Sequence, residues 1–411
     1  MKVGIVSFHS FIHPGGVKRH IMGLFKQFKK RGIETKIIVP RRKQSEDYGK
    51  DIVLLGTSFP MKFSGSQADF NVNFNPVALE NTLKEENFDV LHFHNFGFPS
   101  ALQILLSPAV SDTLNILTFH ANLQGSKFLE KFPRFFYLAE RICQWKIDGI
   151  IGVSPLILEY FKNYDGPKVI IPNGIDIEKF NPQVPELERF SDNKTNILFV
   201  GRIEERKGLI YLLKSYKILQ EKFSDLRLII VGEGPEEEKC RKYVKKHNLR
   251  EVVFEGEVEE GVASYYKTAD IFVSPAIFGE SFGLVNLEAM ACGTPVVAFA
   301  NQGYADLLRG TCIEPFLAPP KDHKTLSEKI EALIKAPELR KEIGKKAIEE
   351  ARFYSWSSVA DQVLEFYEMA KEEKKKEKKS KISFQDIMDK ANEIADKDIL
   401  KLLKIKEDEE E

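Results

Sequence analysis

The sequence holds no apolar run near the roughly 18 residues that a membrane-spanning helix needs, no two cysteines at C-x-x-C spacing, and no large excess of charge of either sign. Each absence removes a class. Without a spanning run or a secretory leader (Met1-Lys2 leads straight into the strand-length Val3-Gly4-Ile5-Val6), a cytoplasmic protein is expected. Cys143, Cys240, Cys292 and Cys312 are widely separated, so they read as reduced thiols, neither a disulfide framework nor a zinc site. Sixty Lys and Arg against 61 Asp and Glu give no global nucleic-acid signature. No G-x-G-x-x-G occurs at a strand-to-helix turn, which argues against a dinucleotide oxidoreductase. No repeat of roughly 20–50 residues is present.

What the chain does have is strands alternating with helices over most of its 411 residues, the pattern of parallel sheets covered on both faces. The reading is α/β, with two doubly wound, Rossmann-like domains. The first covers residues 1–175. Its opening helix buries a stripe of Val17, Ile21, Leu24, Phe25 and Phe28, while Lys and Arg occupy its other faces. Residues 43–76 read as irregular. A proline-rich linker at 176–195 breaks the alternation, and a second domain restarts it over 196–370, with its last helices packing back on the first domain. Residues 371–411 form a charged linker and an amphipathic helical tail on which Phe384, Ile387, Met388, Ala391, Ile394 and Ala395 recur at helical spacing. Such a tail suits packing on the body or self-association.

One stretch organises the second domain: Ile271 to Ala298 reads as strand, glycine-containing turn, helix and strand. Gly293 stands where a helix ends. Glu280 precedes the helix and Glu288 lies within it. A helix start presents free N–H groups and a positive dipole end, which suit phosphate, and an acid accepts hydrogen bonds from hydroxyl pairs. The pattern suits a phosphorylated, hydroxyl-rich ligand; a solvated loop acid and a surface helix acid would share the same spacing. Earlier, Arg202 follows a strand and Lys207 opens a helix, at the sheet edge where open α/β folds bind ligands. A guanidinium fork and an ammonium suit a diphosphate there.

In the first domain Gly15-Gly16 forms a strand-to-helix turn. His92 and His94 point the same way from one strand, so a metal pair is conceivable, but no third ligand is apparent and no metal is expected. His120 ends a strand at the functional edge.

Taken in order, Gly15-Gly16, T-F-H ending at His120, P-N-G-I-D at 172–176, G-R-I-E-E-R-K-G at 201–208, G-E-G-P at 232–235 and G-E-S-F-G-L-V-N-L-E-A-M-A-C-G-T-P-V-V-A resemble the retaining GT-B glycosyltransferases of family 4. H-P-G-G-V-K-R-H, F-D-V-L-H-F-H and T-F-H are most similar to its phosphatidylinositol mannosyltransferase branch. The resemblance spans about residues 1–370. It implies a GT-B architecture of two domains facing across a cleft. It further implies that Arg202 and Lys207 hold the donor diphosphate with Gly16 and the N–H groups of Gly283 and Leu284. Glu288 would take the ribose, with the base near Val258. Glu280 and His120 would be the catalytic pair, meeting the donor sugar. The donor would be GDP-mannose or a UDP-hexose.

Breaking a sugar–nucleotide bond leaves charge on the diphosphate, which cations and a helix start can stabilise. No D-x-D pair lies beside the donor turn, so metal-independent transfer without a cofactor is expected. Basic and aromatic surface at 17–31, Phe59–Phe63 and Lys127–Lys146 suits an anionic bilayer, provided those rings are not core. A lipid-linked or glycan acceptor, reached by peripheral contact with the inner membrane face, is the expectation; Asp69 is acidic where a phosphate-binding cation would be sought. A soluble acceptor, and a non-catalytic nucleotide-sugar-binding protein, are the alternatives.

Overall fold

The computed structural model describes residues 1–376 apart from 13–14, 44, 64–65, 98, 121–132, 259 and 281. The chain divides into two compact units. The first comprises Met1–Val153, Ile157–Ile171 and the chain from Ala360; the second comprises Pro172–Val359 with Ser154–Leu156.

The first unit is built on eight strands: β1 (Lys2–Ser7), β2 (Glu34–Arg41), β3 (Ile52–Phe63), β4 (Ser66–Val72), β5 (Val90–His94), β6 (Leu114–Phe119), β7 (Gly149–Gly152) and β8 (Lys168–Ile170). Their order is β4-β3-β2-β1-β5-β6-β7-β8, parallel except for the β3–β4 hairpin. β5, β6 and β7 are buried along their whole length, because near-continuous apolar runs can be satisfied only with both sheet faces covered. Helix Gly16–Lys30 covers one face with His20, Ile21, Leu24 and Phe28. Helix Pro76–Glu86 starts with Pro76 at its first position, and the Asn75 side chain accepts from the Ala78 N–H at 2.9 Å.

Residues 43–76, expected to be irregular, instead supply β3 and β4. Pro60 lies on β3 beyond Thr57, the last residue of that strand paired with β2, so there β3 has only β4 beside it, and Pro60 pairs with Asp69. An edge tolerates a missing N–H. The β2–β3 pairing also shifts register between Val39 and Arg41, which blurs the alternation on which a strand reading depends.

The second unit carries β9 (Thr195–Val200), β10 (Leu226–Val231), β11 (Val252–Gly256), β12 (Ile271–Ser274), β13 (Val296–Phe299) and β14 (Leu317–Ala318). The order is β11-β10-β9-β12-β13-β14 and every pair is parallel. In both units the chain reverses its winding direction beside the first strand, the doubly wound plan.

The P-N-G-I-D motif has a structural duty in this unit. Gly174 packs directly against the Trp356 ring, the Ile175 N–H donates to the Tyr354 carbonyl at 2.7 Å, and the Trp356 N–H donates back to Ile175 at 3.2 Å. The motif thereby seats the start of the last helix, Trp356–Lys376. Further along, that helix is tied into the first unit. Asp361 accepts from Arg31 Nη2 at 2.6 Å, Tyr367 is hydrogen-bonded to His92 Nδ1 at 2.6 Å, and Lys374 pairs with buried Asp148 at 3.0 Å. The amphipathic stretch Phe384–Ala395 lies outside the described residues. No described helix is long and apolar enough to cross a membrane.

Gly174→Ala is expected to lower unfolding stability by about 1–3 kcal/mol, because its methyl group would enter the Trp356 ring. An unchanged urea midpoint would show that the ring gives way freely.

Candidate functional site

In the second unit the chemistry gathers where β9 and β12 end. β9 delivers Gly201 and Arg202, and a short 3-10 turn, Glu205–Lys207, follows. Gly208 then adopts a left-handed φ of 71°, with the Pro275 carbonyl where a Cβ would stand. The Ile277 N–H donates to the Arg206 carbonyl at 2.8 Å. These two contacts hold the 201–208 loop against the 275–280 loop. Glu280 is thereby brought to the cations: Arg206 Nη1 lies 2.6 Å and Lys207 Nζ 2.8 Å from the same oxygen, Oε1. Arg206 also pairs with Glu204 at 2.7 Å. Arg202 is exposed and forms no ion pair among the described residues.

Helix Leu284–Ala291 starts beside this cluster in the chain. Gly283 is its N-cap, at φ 102°, and a Cβ there would stand 2.7 Å from the Tyr304 ring and 2.9 Å from the Asn286 amide. Only glycine fits, and among the described residues no side chain caps the first N–H groups of the helix. Tyr304 is buried, and burial together with the neighbouring Glu280 charge holds its hydroxyl far above the ordinary tyrosine range. Glu288 is 6% exposed and accepts from the Tyr266 hydroxyl at 2.8 Å. A surface helix acid is therefore the wrong reading of Glu288. A buried carboxylate needs donors, and a ligand hydroxyl would supply more. Val258 follows β11 and packs against the core of this unit, with Glu257 exposed beside it.

The arrangement can receive an anion. Lys207 and Arg206 share one carboxylate oxygen, so an arriving phosphate can take Lys207 while Arg206 keeps Glu280 compensated. Sequence reasoning missed Arg206. It sits between Glu205 and Lys207 in a run that reads as ordinary surface charge, and only the fold aims it at Glu280.

In the first unit parallel register places His94 beside Thr118, and His120 just beyond it. His94 Nδ1 and His120 Nε2 are 3.0 Å apart, one donating and the other accepting. The His120 N–H donates to Asn95 Oδ1 at 2.8 Å. His20 of the first helix meets the His120 ring edge-on, with centroids 4.6 Å apart. His92 is engaged at both nitrogens, by Thr118 and Tyr367, at 2.6 Å each. The expectation that a third metal-ligand partner is lacking is thus corrected. His20, His94 and His120 each bring one ligand nitrogen within 4.8 Å of the others, and His92 is not among them. His20 was legible in principle, since it lies four residues before Leu24 and eight before Phe28 on the buried face.

Gly16 opens the first helix, and neither it nor Gly15 would meet any atom with an added Cβ. His13, Pro14, Ser281 and the stretch 121–132, with Phe128 and Phe132, lie outside the described residues, as do the side chains of Asp69, Phe135 and Phe136. A polar cavity of about 380 Å³ opens at the opposite edge of the second sheet, near Thr195 and Asp270, but its charges pair internally, Arg340 with Asp270 and Lys267 with Glu186.

Comparison with known proteins bears on both units. A family profile described as "Glycosyltransferase Family 4" matches residues 14–179, and one described as "Glycosyl transferases group 1" matches residues 181–350. The chain is 32% identical over 380 residues to a phosphatidyl-myo-inositol mannosyltransferase of Mycobacterium leprae, covering 90% of this chain and 96% of that one. It is 33% identical over 238 residues to a D-inositol 3-phosphate glycosyltransferase of Pseudarthrobacter chlorophenolicus, covering 53% of each. Among solved structures, a sucrose-phosphate synthase from Thermosynechococcus elongatus shares the fold with a TM-score of 0.70 at 21% identity, covering 90% of this chain and 98% of that one. A glycosyltransferase from Rickettsia africae does so with 0.69 at 18% identity and the same coverage. The architecture is therefore GT-B.

The histidine shelf predicts a pH dependence. Burial, and then the neighbouring His20, push the His92 pKa down to about 3, and burial also holds His94 well below the ordinary histidine range. Both rings bind a proton more weakly folded than unfolded. The His92 contribution is complete above the unfolded value of 6.5 and is lost as pH falls from there toward about 3, and His94 acts in the same direction. Stability should therefore fall as pH drops through that window, by on the order of 1 kcal/mol per pH unit. Urea unfolding from pH 7 to pH 5 measures it; a flat midpoint, or a fall undiminished in His92→Gln, would refute it.

Proposed function

The chain belongs to glycosyltransferase family 4, and from that premise we propose that it moves a hexosyl group from a nucleotide sugar, GDP-mannose or a UDP-hexose, to a hydroxyl of a lipid or glycan precursor, with retention at the anomeric carbon and without a metal. The observation that carries the donor half is the meeting of Lys207, Arg206 and Glu280 beside the uncapped helix start at Gly283.

In this reading Arg202 and Lys207 take the diphosphate, whose negative charge grows as the sugar–phosphate bond breaks. Fixed cations and backbone N–H groups stabilise that charge without solvent reorganisation. The N–H groups of Gly283 and Leu284 add the helix-start dipole. Lys207 leaves Glu280 for the phosphate, and Glu280, still held by Arg206, accepts from sugar hydroxyls. Glu288 takes the ribose, and Val258 lies toward the base. His120 meets the sugar near its reacting carbon, and the Gly16 backbone meets the phosphates.

The acceptor half rests on two supports. The relatives' names concern inositol-bearing acceptors, one lipid-linked and one phosphorylated. The chain also exposes Phe59, Phe70, Phe74 and Val77, with Phe59 and Phe74 in edge contact at 6.3 Å. Exposed rings of this kind suit peripheral contact with a lipid surface.

A thermal-shift panel of UDP-, GDP- and ADP-sugars should give one clear stabiliser, and that donor should then be turned over. Arg202→Ala and Lys207→Ala should each lower kcat/KM for it by about 100-fold or more; near-full activity in either would remove that residue from the donor site. Activity should survive exhaustive chelation, and its loss would overturn metal-independent transfer. Anionic vesicles should carry the protein upward in flotation at low salt; failure to float would favour a soluble acceptor.

A further inference from the structure

Four of the eight histidines stand together at the carboxyl edge of the first sheet. Catalysis by the proposed reading uses one of them. His92 is accounted for by its hydrogen bonds to Thr118 and Tyr367. The remaining trio is unusual in composition and placement: His20, His94 and His120 are 2%, 0% and 9% exposed, and one nitrogen of each lies within 4.8 Å of the other two. A second observation points to a ligand. His94 Nε2 is buried and has no hydrogen-bond partner among the described residues. A buried polar atom left so carries a desolvation cost that a bound group would relieve.

We propose that His20, His94 and His120 form a binding site for a divalent transition-metal ion of the zinc class, and that its occupancy shuts the enzyme off by taking His120 away from the donor sugar. Capture of the ion stands apart from the glycosyltransferase reading; only its inhibitory consequence rests on that reading.

Chemistry and geometry both favour such an ion. Neutral imidazoles are ligands for zinc, cobalt and copper, whereas magnesium and calcium want oxygen. Zinc–nitrogen bonds of about 2.0–2.1 Å put tetrahedral ligand atoms roughly 3.3 Å apart. No two of the three ligand atoms are more than 4.8 Å apart, so no edge of the triangle need shorten by more than about 1.5 Å. The ion gains three coordinate bonds, one from each imidazole. Three protein nitrogens leave a fourth position, as in open zinc sites, and His120, the most exposed of the three, marks its side. With no carboxylate in the trio the site keeps the full charge of the ion.

The test uses the full chain stripped with chelator and loaded with one equivalent of Zn²⁺. X-ray absorption at the zinc edge should find three imidazoles, and Co²⁺ should give the visible absorption of a tetrahedral site, displaced by Zn²⁺. Sulfur ligation, or fewer than three imidazoles, would overturn the site, and this measurement needs no variant. In addition, folded His94→Ala and His20→Asn should each bind Zn²⁺ at least about tenfold more weakly; unchanged affinity in both would also overturn it. Stoichiometric Zn²⁺ should inhibit donor turnover, reversibly by chelator. Three-imidazole binding with turnover intact would keep the metal site, overturn the shut-off, and remove His120 from the donor reading.

Discussion

Parallel strand pairing is the constraint on which the rest depends. When β9, β10 and β12 run the same way, every strand must end at the same edge, and every loop that follows must emerge there. Those loops cannot be buried without partners for their backbone groups, so they accumulate polar, charged and glycine residues in one place. Arg206 and Lys207 meet Glu280 from a distant part of the sequence for that reason. The same rule in the first unit places His94 at the end of β5 and His120 just past β6.

Close backbone approach then refines what the sheet edge offers. Gly208 sits against the Pro275 carbonyl, and Gly283 against the Tyr304 ring, so two loops are fixed at distances no side chain would permit. Fixing them removes the rearrangement that would otherwise accompany ligand binding. It also makes the charge cluster specific: Lys207 and Arg206 converge on one oxygen of Glu280 rather than on scattered surface acids. The buried histidines express the opposite electrostatic condition. They are kept neutral by exclusion of water, and neutrality is what suits them to hydrogen bonding and to metal ligation.

Much of this was legible beforehand in the residues. Apolar runs such as Val3–Val6 and Phe272–Val273 could only be buried strands, and the helix Pro76–Glu86 follows from its apolar spacing with Pro76 at its head. Gly283 and Gly293 marked the two ends of the helix that carries Glu288. What failed did so for physical reasons. β3 tolerates Pro60 because its pairing with β2 ends at Thr57, and where a neighbouring strand ends is not written in a local pattern. Arg206 resembles any surface cation until Ile277 ties its backbone to the loop that carries Glu280.

The sequence by itself determined the doubly wound α/β plan, the strand ends where function collects, and the charged and hydroxyl-seeking residue types placed at those ends, since these follow from periodicity, glycine punctuation and side-chain chemistry along one chain. Tertiary structure alone decided which of those residues touch: Arg206 with Glu280, Tyr266 with Glu288, and His20 with the two histidines of neighbouring strands. Contacts between residues tens to hundreds of positions apart depend on sheet register and helix docking, and no local pattern encodes either.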